Sequence, residues 1–254
     1  NSKIKVVQVG EGADELFYGY DHWNRYLKLN KFFKPFFKST KKYSSFKNHR
    51  LNMLSNILFN RTSFAGGALG FNLKELDSLI KDGLPNHSDL IFYADNKWKD
   101  YFSNKNSKIS KWMTLIDLKI RLPELLLMRM DKLVMQSAVE ARVPFLDHKL
   151  VEYVLSLPEE LLIDLTNTKS LLKKVALKYL PDQIINRKKQ GFRAPIGEWI
   201  KKDEEKFYES VQQFNSLVNL FNERELNHIL NGNDYQKKWY LINLSNWHLA
   251  RVAN

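Results

Sequence analysis

With 254 residues, 44% of them hydrophobic, the chain can bury a core as one large domain or two small ones, and its composition is not that of a disordered segment. Forty Lys and Arg against 28 Asp and Glu give a net charge of +12, which marks either a surface that meets anions or a lysine-rich solvated face. The lack of cysteine excludes disulfides, thiolate zinc sites and cysteine nucleophiles from these residues and points to the cytoplasm, while no apolar run reaches the roughly 18 residues of a membrane span.

The first element, "KIKVVQV", reads as a strand, with Ile4, Val6, Val7 and Val9 bounded by Gly10. It begins so near residue 1 that a chain cut from something longer is expected. From Ala13 to about Asn30 aromatics and leucines recur at helical spacing, with Asp14 and Glu15 in the first turn, where acids suit the helix dipole. Further helices are expected over 45–60, 72–82, 87–102, 110–121, 124–140, 147–156, 168–179, 196–212, 222–230 and 235–250, with loops at 33–50 and 64–72. A mainly α-helical chain with one N-terminal strand fits the C-terminal part of a parallel-sheet α/β domain, residues 1–254, whose earlier strands are absent.

Three segments carry candidate chemistry. "VGEGADELF" is strand, Gly10, Glu11, Gly12, helix; glycines at a strand's carboxyl end let the backbone approach a ligand, and the alternative is a tight turn with incidental acids. In "LPELLLMRMDKLVMQSAVEARVPFLDHKL", Pro123 suits a first helical turn and Leu125, Leu126, Met130, Leu133 and Val134 make an apolar side. Arg129, Lys132, Gln136 and Glu140 then share one polar stripe, and Asp131 lies off it among Leu and Met, where a carboxylate needs a partner. Pro144 ends the helix and gathers Glu140, Arg142 and Asp147 around a sharp exit; the alternative is a solvated face with a structural ion pair. In "INRKKQGFRAP", Arg187, Lys188 and Lys189 before Gly191 fit a basic last turn with a glycine cap, or cations that neutralise a phosphate leaving group.

Together, and in this order, "GEGADELF", the long middle segment and "RKKQGFRAPIGEW" resemble the asparagine synthase family across most of residues 5–200. The resemblance implies an ATP-pyrophosphatase-type domain (adenine nucleotide α-hydrolase-like) that uses ATP and Mg2+ to adenylate the side-chain carboxylate of aspartate. Ammonia from glutamine then displaces AMP to give the amide. It implies that Glu11 assists ammonia attack, that Asp14 serves the magnesium-pyrophosphate region or holds the loop, and that Lys189, supported by Arg187 and Lys188, binds pyrophosphate. Gly10 and Gly12 bring the adenylate close. Glu140, Arg142 and Asp147 match a segment bordering the acyl-adenylate pocket, with Glu140 counted as catalytic beside Glu11 and Lys189, and with Arg129 and Asp131 supporting the pocket from behind.

The chain also departs from the family pattern. Val9 stands where serine is usual, and Val134, Gln136 and Ser137 replace serine, alanine and histidine, so the carboxylate substrate is left open. Relatives that amidate sugar carboxylates for surface polysaccharides share the turn. The phosphate loop and a glutaminase domain are expected upstream, which makes this chain catalytically incomplete alone and the full-length enzyme a possible homodimer. A reading of another class is a basic helical module for nucleic acid or an acidic partner, disfavoured because the cations are scattered and no nucleic-acid motif is present.

Overall fold

The computed structural model describes residues 4–33, 49–58, 70–84, 96–97, 100–101, 103, 108–187 and 194–251. The helix expected over 87–102 and the loops expected over 33–50 and 64–72 lie largely outside the described residues. The chain divides into two compact units, one of residues 1–41, 56–68 and 93–188, the other of 42–55, 69–92 and 189–254. Among the described residues no helix is long and apolar enough to cross a membrane.

The first unit opens with strand β1, Val6–Gln8. A second strand, β2, runs over Glu140–Arg142 and pairs with it in parallel, with Val6 opposite Glu140, Val7 opposite Ala141 and Gln8 opposite Arg142. The expectation of a single strand is therefore corrected. So is the helix over 124–140, which stops at Met135 and turns back through Ala138, whose φ is 52°. Glu140 consequently lies in a strand and not on the helical stripe. The three residues of β2 are too few to show the alternation by which a strand is read from sequence.

After β1 the Gly10–Gly12 turn leads into helix α1, Ala13–Leu16, and then into α2, Asp21–Phe33. The single helix expected from Ala13 to Asn30 is interrupted because Tyr18 takes a left-handed φ of 55° and the Gly19 amide returns to the Asp14 carbonyl at 2.9 Å. This closes α1 with a Schellman-type cap. A Cβ at residue 19 would lie 1.8 Å from Asp14 Oδ1 and 2.4 Å from Lys169 Cε, so a side chain there would displace the Asp14–Lys169 pair. The buried face of α2 is Trp23, Asn24, Tyr26 and Leu27.

The helices expected over 110–121 and 124–140 form one long rod from Ile109 to Met135, in which Asp117–Leu127 has the wider π geometry. Pro123 sits inside this rod and not in a first turn. It has no amide hydrogen to donate and its ring crowds the preceding turn, a conflict that i→i+5 bonding relieves; Met128 donates to the carbonyl of Pro123 itself. Trp112, Met113 and Leu122 are buried along the rod, whereas Met128–Met135 buries no side chain. The apolar side expected there is partly exposed, with Leu133 at 58%. A 3-10 turn at Pro144–Leu146 and helices at His148–Ser156, Glu159–Leu162, Ser170–Ala176 and Asp182–Ile185 complete this unit.

The second unit is helical, with Leu73–Leu79, Ile196–Lys202, Glu204–Val218, Glu223–Asn231 and Tyr235–Arg251 around a core of Leu79, Ile200, Val211, Phe214, Phe221, Leu226, Leu230, Leu241 and Ile242. Asn72 and Glu75 form a capping box at the Leu73–Leu79 helix. Lys238 is buried here and donates to Glu204 at 3.4 Å and to the Tyr208 hydroxyl.

The two glycines of the turn differ. Gly12 has a φ of 92°, and a Cβ there would lie 2.4 Å from Leu146 Cδ2; at Gly10 nothing among the described residues lies within 4 Å of one. Gly12→Ala is expected to destabilise the first unit by about 1–2 kcal/mol from the left-handed backbone alone, with the Leu146 clash added. Gly10→Ala should stay within about 0.5 kcal/mol of the parent. Urea denaturation of the two variants checks the contrast, and equal losses would refute it.

Candidate functional site

Because β1 and β2 run in parallel, their carboxyl ends emerge at one edge, the place where open α/β sheets bind ligands. The Val9 amide extends the ladder to the Arg142 carbonyl at 2.9 Å. Beyond β1 comes the Gly10–Gly12 turn and beyond β2 the Pro144–Leu146 turn, and the two pack together: Leu146 fills the space beside Gly12, and Phe145 meets Phe17 edge-on at 6.2 Å. Two segments remote in sequence thus border one edge.

Glu11 is half-buried on this edge. Burial pushes its carboxyl above the ordinary carboxylate range, and the charges of Glu15 and Asp14 add to this while Arg129 and Arg121 oppose it. A carboxylate of raised basicity is suited to accept a proton. Asp14 is ion-paired with Lys169 at 3.0 Å. Lys169 is brought there by a turn in which the Asp164 carboxylate accepts from the Thr166 amide at 2.8 Å, the Thr166 hydroxyl and Asn167; these bonds hold the Asp164 carboxyl well below its ordinary range. Lys169 itself takes a φ of 55°.

Behind the turn lies a buried charged group. Glu15 and Asp117 are 1% and 0% exposed. The Tyr20 hydroxyl donates to Glu15 Oε1 at 2.6 Å, and the Thr114 hydroxyl donates to the Glu15 carbonyl at 3.3 Å. Arg121 Nη1 reaches Asp117 Oδ2 at 2.9 Å and Glu15 Oε1 at 3.9 Å, with its guanidinium 4.7 Å above the Tyr20 ring. Burial raises the Asp117 carboxyl to about 6 even though Arg121 pulls it down.

The other predicted residues are distributed as follows. Glu140 and Arg142 pair with each other at 2.8 Å in the open, and Arg142 holds the Glu140 carboxyl below its ordinary range. Asp147 instead caps the His148–Ser156 helix, accepting from the Lys149 and Leu150 amides. Arg129 is exposed on the rod, with its charge acting on Glu11. Asp131 is also exposed, so the apolar setting expected for it is corrected: this part of the rod buries nothing. Arg187 follows the Asp182–Ile185 helix and its Asn186 cap, and so is not in a helical last turn. Lys188, Lys189 and Gly191 lie outside the described residues. Among the described residues no three His, Asp or Glu side chains form a metal-binding group. Sequence reasoning missed Lys169, Tyr20, Thr114, Asp117 and Arg121. An Asp–Arg pair four residues apart and an Asp-x-Thr-Asn turn were the available signals.

A family model described as Asparagine synthase matches residues 1–249. The chain is 29% identical over 218 residues to asparagine synthetase [glutamine-hydrolyzing] 1 of Bacillus subtilis (strain 168), covering 83% of this chain and 34% of that protein. It is 30% identical over 271 aligned positions to a putative asparagine synthetase [glutamine-hydrolyzing] of Mycobacterium bovis, covering 99% of this chain and 40% of that protein. The chain therefore spans well under half the length of these curated relatives. No solved structure matches it.

The raised Asp117 carboxyl has a consequence for stability. Its folded value of about 6 exceeds the ordinary 3.8, so the folded state holds this proton more tightly and loses stability as pH rises through that interval. Relative to the parent, Asp117→Asn should therefore gain stability between pH 4.5 and pH 7, by on the order of 2 kcal/mol. Urea denaturation at the two pH values measures this, and a pH-independent difference would contradict it.

Proposed function

The chain belongs to the asparagine synthase family, and we propose that it carries the ammonia-accepting part of an ATP-dependent amide-forming ligase. The observation that carries this reading is Glu11, half-buried and of raised basicity, on a glycine turn at the shared carboxyl edge of two parallel strands. In the proposed reaction ATP adenylates the side-chain carboxylate of aspartate and pyrophosphate leaves. Ammonia nitrogen then bonds to the acyl carbon, the bond to AMP oxygen breaks, and the Glu11 carboxylate takes the proton from nitrogen. The open space at Gly10 lets the adenylate approach the backbone. Relatives named as glutamine-hydrolyzing support glutamine as the ammonia source.

We read the two-stranded ladder as part of an ATP-pyrophosphatase-type sheet and residues 1–254 as the C-terminal part of that domain. Arg129 and Lys169 supply positive charge near the turn, and Lys189, with Arg187 and Lys188, neutralises the departing pyrophosphate. Glu140, Arg142 and Asp147 border the pocket from the β2 side, with Asp131 further out. Mg2+ typically takes one or two protein carboxylates and completes its shell with phosphates and water. Asp14 fits that role once its ion pair with Lys169 opens. ATP as the energy source accords with a cytoplasmic reaction.

Glu11→Gln keeps the side chain's shape but cannot accept the proton. In the longest natural reading frame carrying this chain, with ammonium supplied directly, the amide-forming step should slow by roughly a hundred- to ten-thousandfold and acyl-adenylate should accumulate. Rapid quench measures both; amide formed at the parent rate would end the reading. Lys189→Ala should slow pyrophosphate exchange by about a hundredfold or more while ATP affinity changes little. An unchanged exchange rate would remove Lys189 from the chemistry.

A further inference from the structure

The α1 helix that follows the Gly10–Gly12 turn is four residues long. A helix of one turn has no stability of its own, so its position is set by what its side chains meet. The backbone ties it closely to Glu11: the Ala13 amide donates to the Gly10 carbonyl at 3.4 Å and the Leu16 amide to the Gly12 carbonyl at 3.0 Å. Any shift of α1 therefore moves Glu11. Beside the Asp14–Lys169 pair nearer the surface, the buried polar anchor of α1 is Glu15, whose carboxylate is 1% exposed and reaches the Tyr20 hydroxyl at 2.6 Å and Arg121 Nη1 at 3.9 Å.

Arg121 stands in the π-helical part of the rod, four residues after Asp117, and grips that carboxylate at 2.9 Å while reaching Glu15. One guanidinium thus faces two buried acids. The arrangement is not optimised for stability: Asp117 Oδ1 and Arg121 Nε are buried without a hydrogen-bond partner among the described residues. A buried ionic group that is only partly satisfied costs desolvation that an apolar replacement would avoid, and its best-attested use is to fix geometry.

We propose that Arg121 is a positioning residue for Glu11, fastening α1 to the rod through Glu15 and thereby fixing where the Gly10–Gly12 turn presents its carboxylate. The proposal rests on reading Glu11 as the proton acceptor. Among the described residues, the charges that bear on Glu11 are Glu15 and Asp14 from its own segment and Arg129 and Arg121 from the rod. Removing Arg121 leaves the acids opposed by Arg129 alone in that set, so Glu11 becomes harder to deprotonate as well as less well placed.

The experiment compares Arg121→Lys, Arg121→Gln and the double variant Arg121→Gln with Asp117→Asn. The last removes one buried cation together with one buried acid, and so remains informative if the single Gln variant fails to fold. In the double variant, hydrogen exchange at the Ala13–Leu16 amides is expected to speed up by about tenfold or more, while exchange in the Glu204–Val218 helix stays unchanged. In the ammonium-fed assay on the longest natural reading frame, kcat for amide formation should fall by about tenfold or more with KM for ATP unchanged, and the acid limb of the pH profile should move to higher pH. Arg121→Lys should restore part of kcat. Unchanged exchange at Ala13–Leu16, or a fall in kcat with the acid limb unmoved, overturns the proposal. Glu11→Gln runs in parallel: if it keeps the parent rate, the base reading fails by itself, and the exchange measurement still decides whether Arg121 fastens α1.

Discussion

A parallel ladder three residues long, Val6–Gln8 against Glu140–Arg142, is the constraint on which the site depends. Parallel strands cannot be joined by a tight turn, so all the chain between them must be routed as a crossover before their ends can meet. So short a ladder does not hold itself, and packing beyond its carboxyl end reinforces it. Leu146 occupies the space that a side chain at residue 12 would need, and Phe145 stacks edge-on against Phe17. Gly12 thus has two reasons to be glycine, one in its own backbone and one in a residue that follows the other strand.

The second organising feature is the balance of charge around Glu11. In a chain with a net charge of +12, this edge concentrates acids: Glu11, Asp14, Glu15 and Asp117. Cations face these acids at different depths. Lys169 meets Asp14 near the surface, Arg121 meets Glu15 and Asp117 in the interior, and Arg129 acts on Glu11 from the exposed face of the rod. At Glu11 the Arg129 and Arg121 charges only oppose the shift, and its basicity is raised by burial first and by neighbouring acids second. Overall charge gives no hint of this, because the effect comes from which few groups are brought within reach of one another.

Much of the fold was legible where apolar spacing was long and regular. The helices near 147–156, 222–230 and 235–250 appear as His148–Ser156, Glu223–Asn231 and Tyr235–Arg251. Reading failed where a local rule met a tertiary demand. Pro123 signalled a helix start, but the rod absorbs it by widening. Tyr18 in left-handed geometry is not a residue that announces a break, and the cap it forms brings Gly19 against Asp14 and Lys169. Glu140 continued a helical stripe by count, yet the chain turned at Ala138 and made it a strand residue. Asp131 stood among leucines and methionines in sequence, while in the fold those neighbours are themselves partly exposed.

The sequence by itself determined the chemistry of the turn: a carboxylate between two glycines after an apolar strand, and a helix with acids in its first turn. These are properties of adjacent residues, fixed by covalent spacing and backbone preference. It also carried the family, because the three matching segments lie in order along the chain. Only the tertiary structure decided that β2 lies beside β1, that Lys169 pairs with Asp14, and that Arg121 reaches Glu15. Those contacts join residues far apart in the chain, and no local propensity encodes them. Glu15 and Asp117 lie inside with the buried residues of α2 and the rod, where a charge left without a partner is too costly to keep.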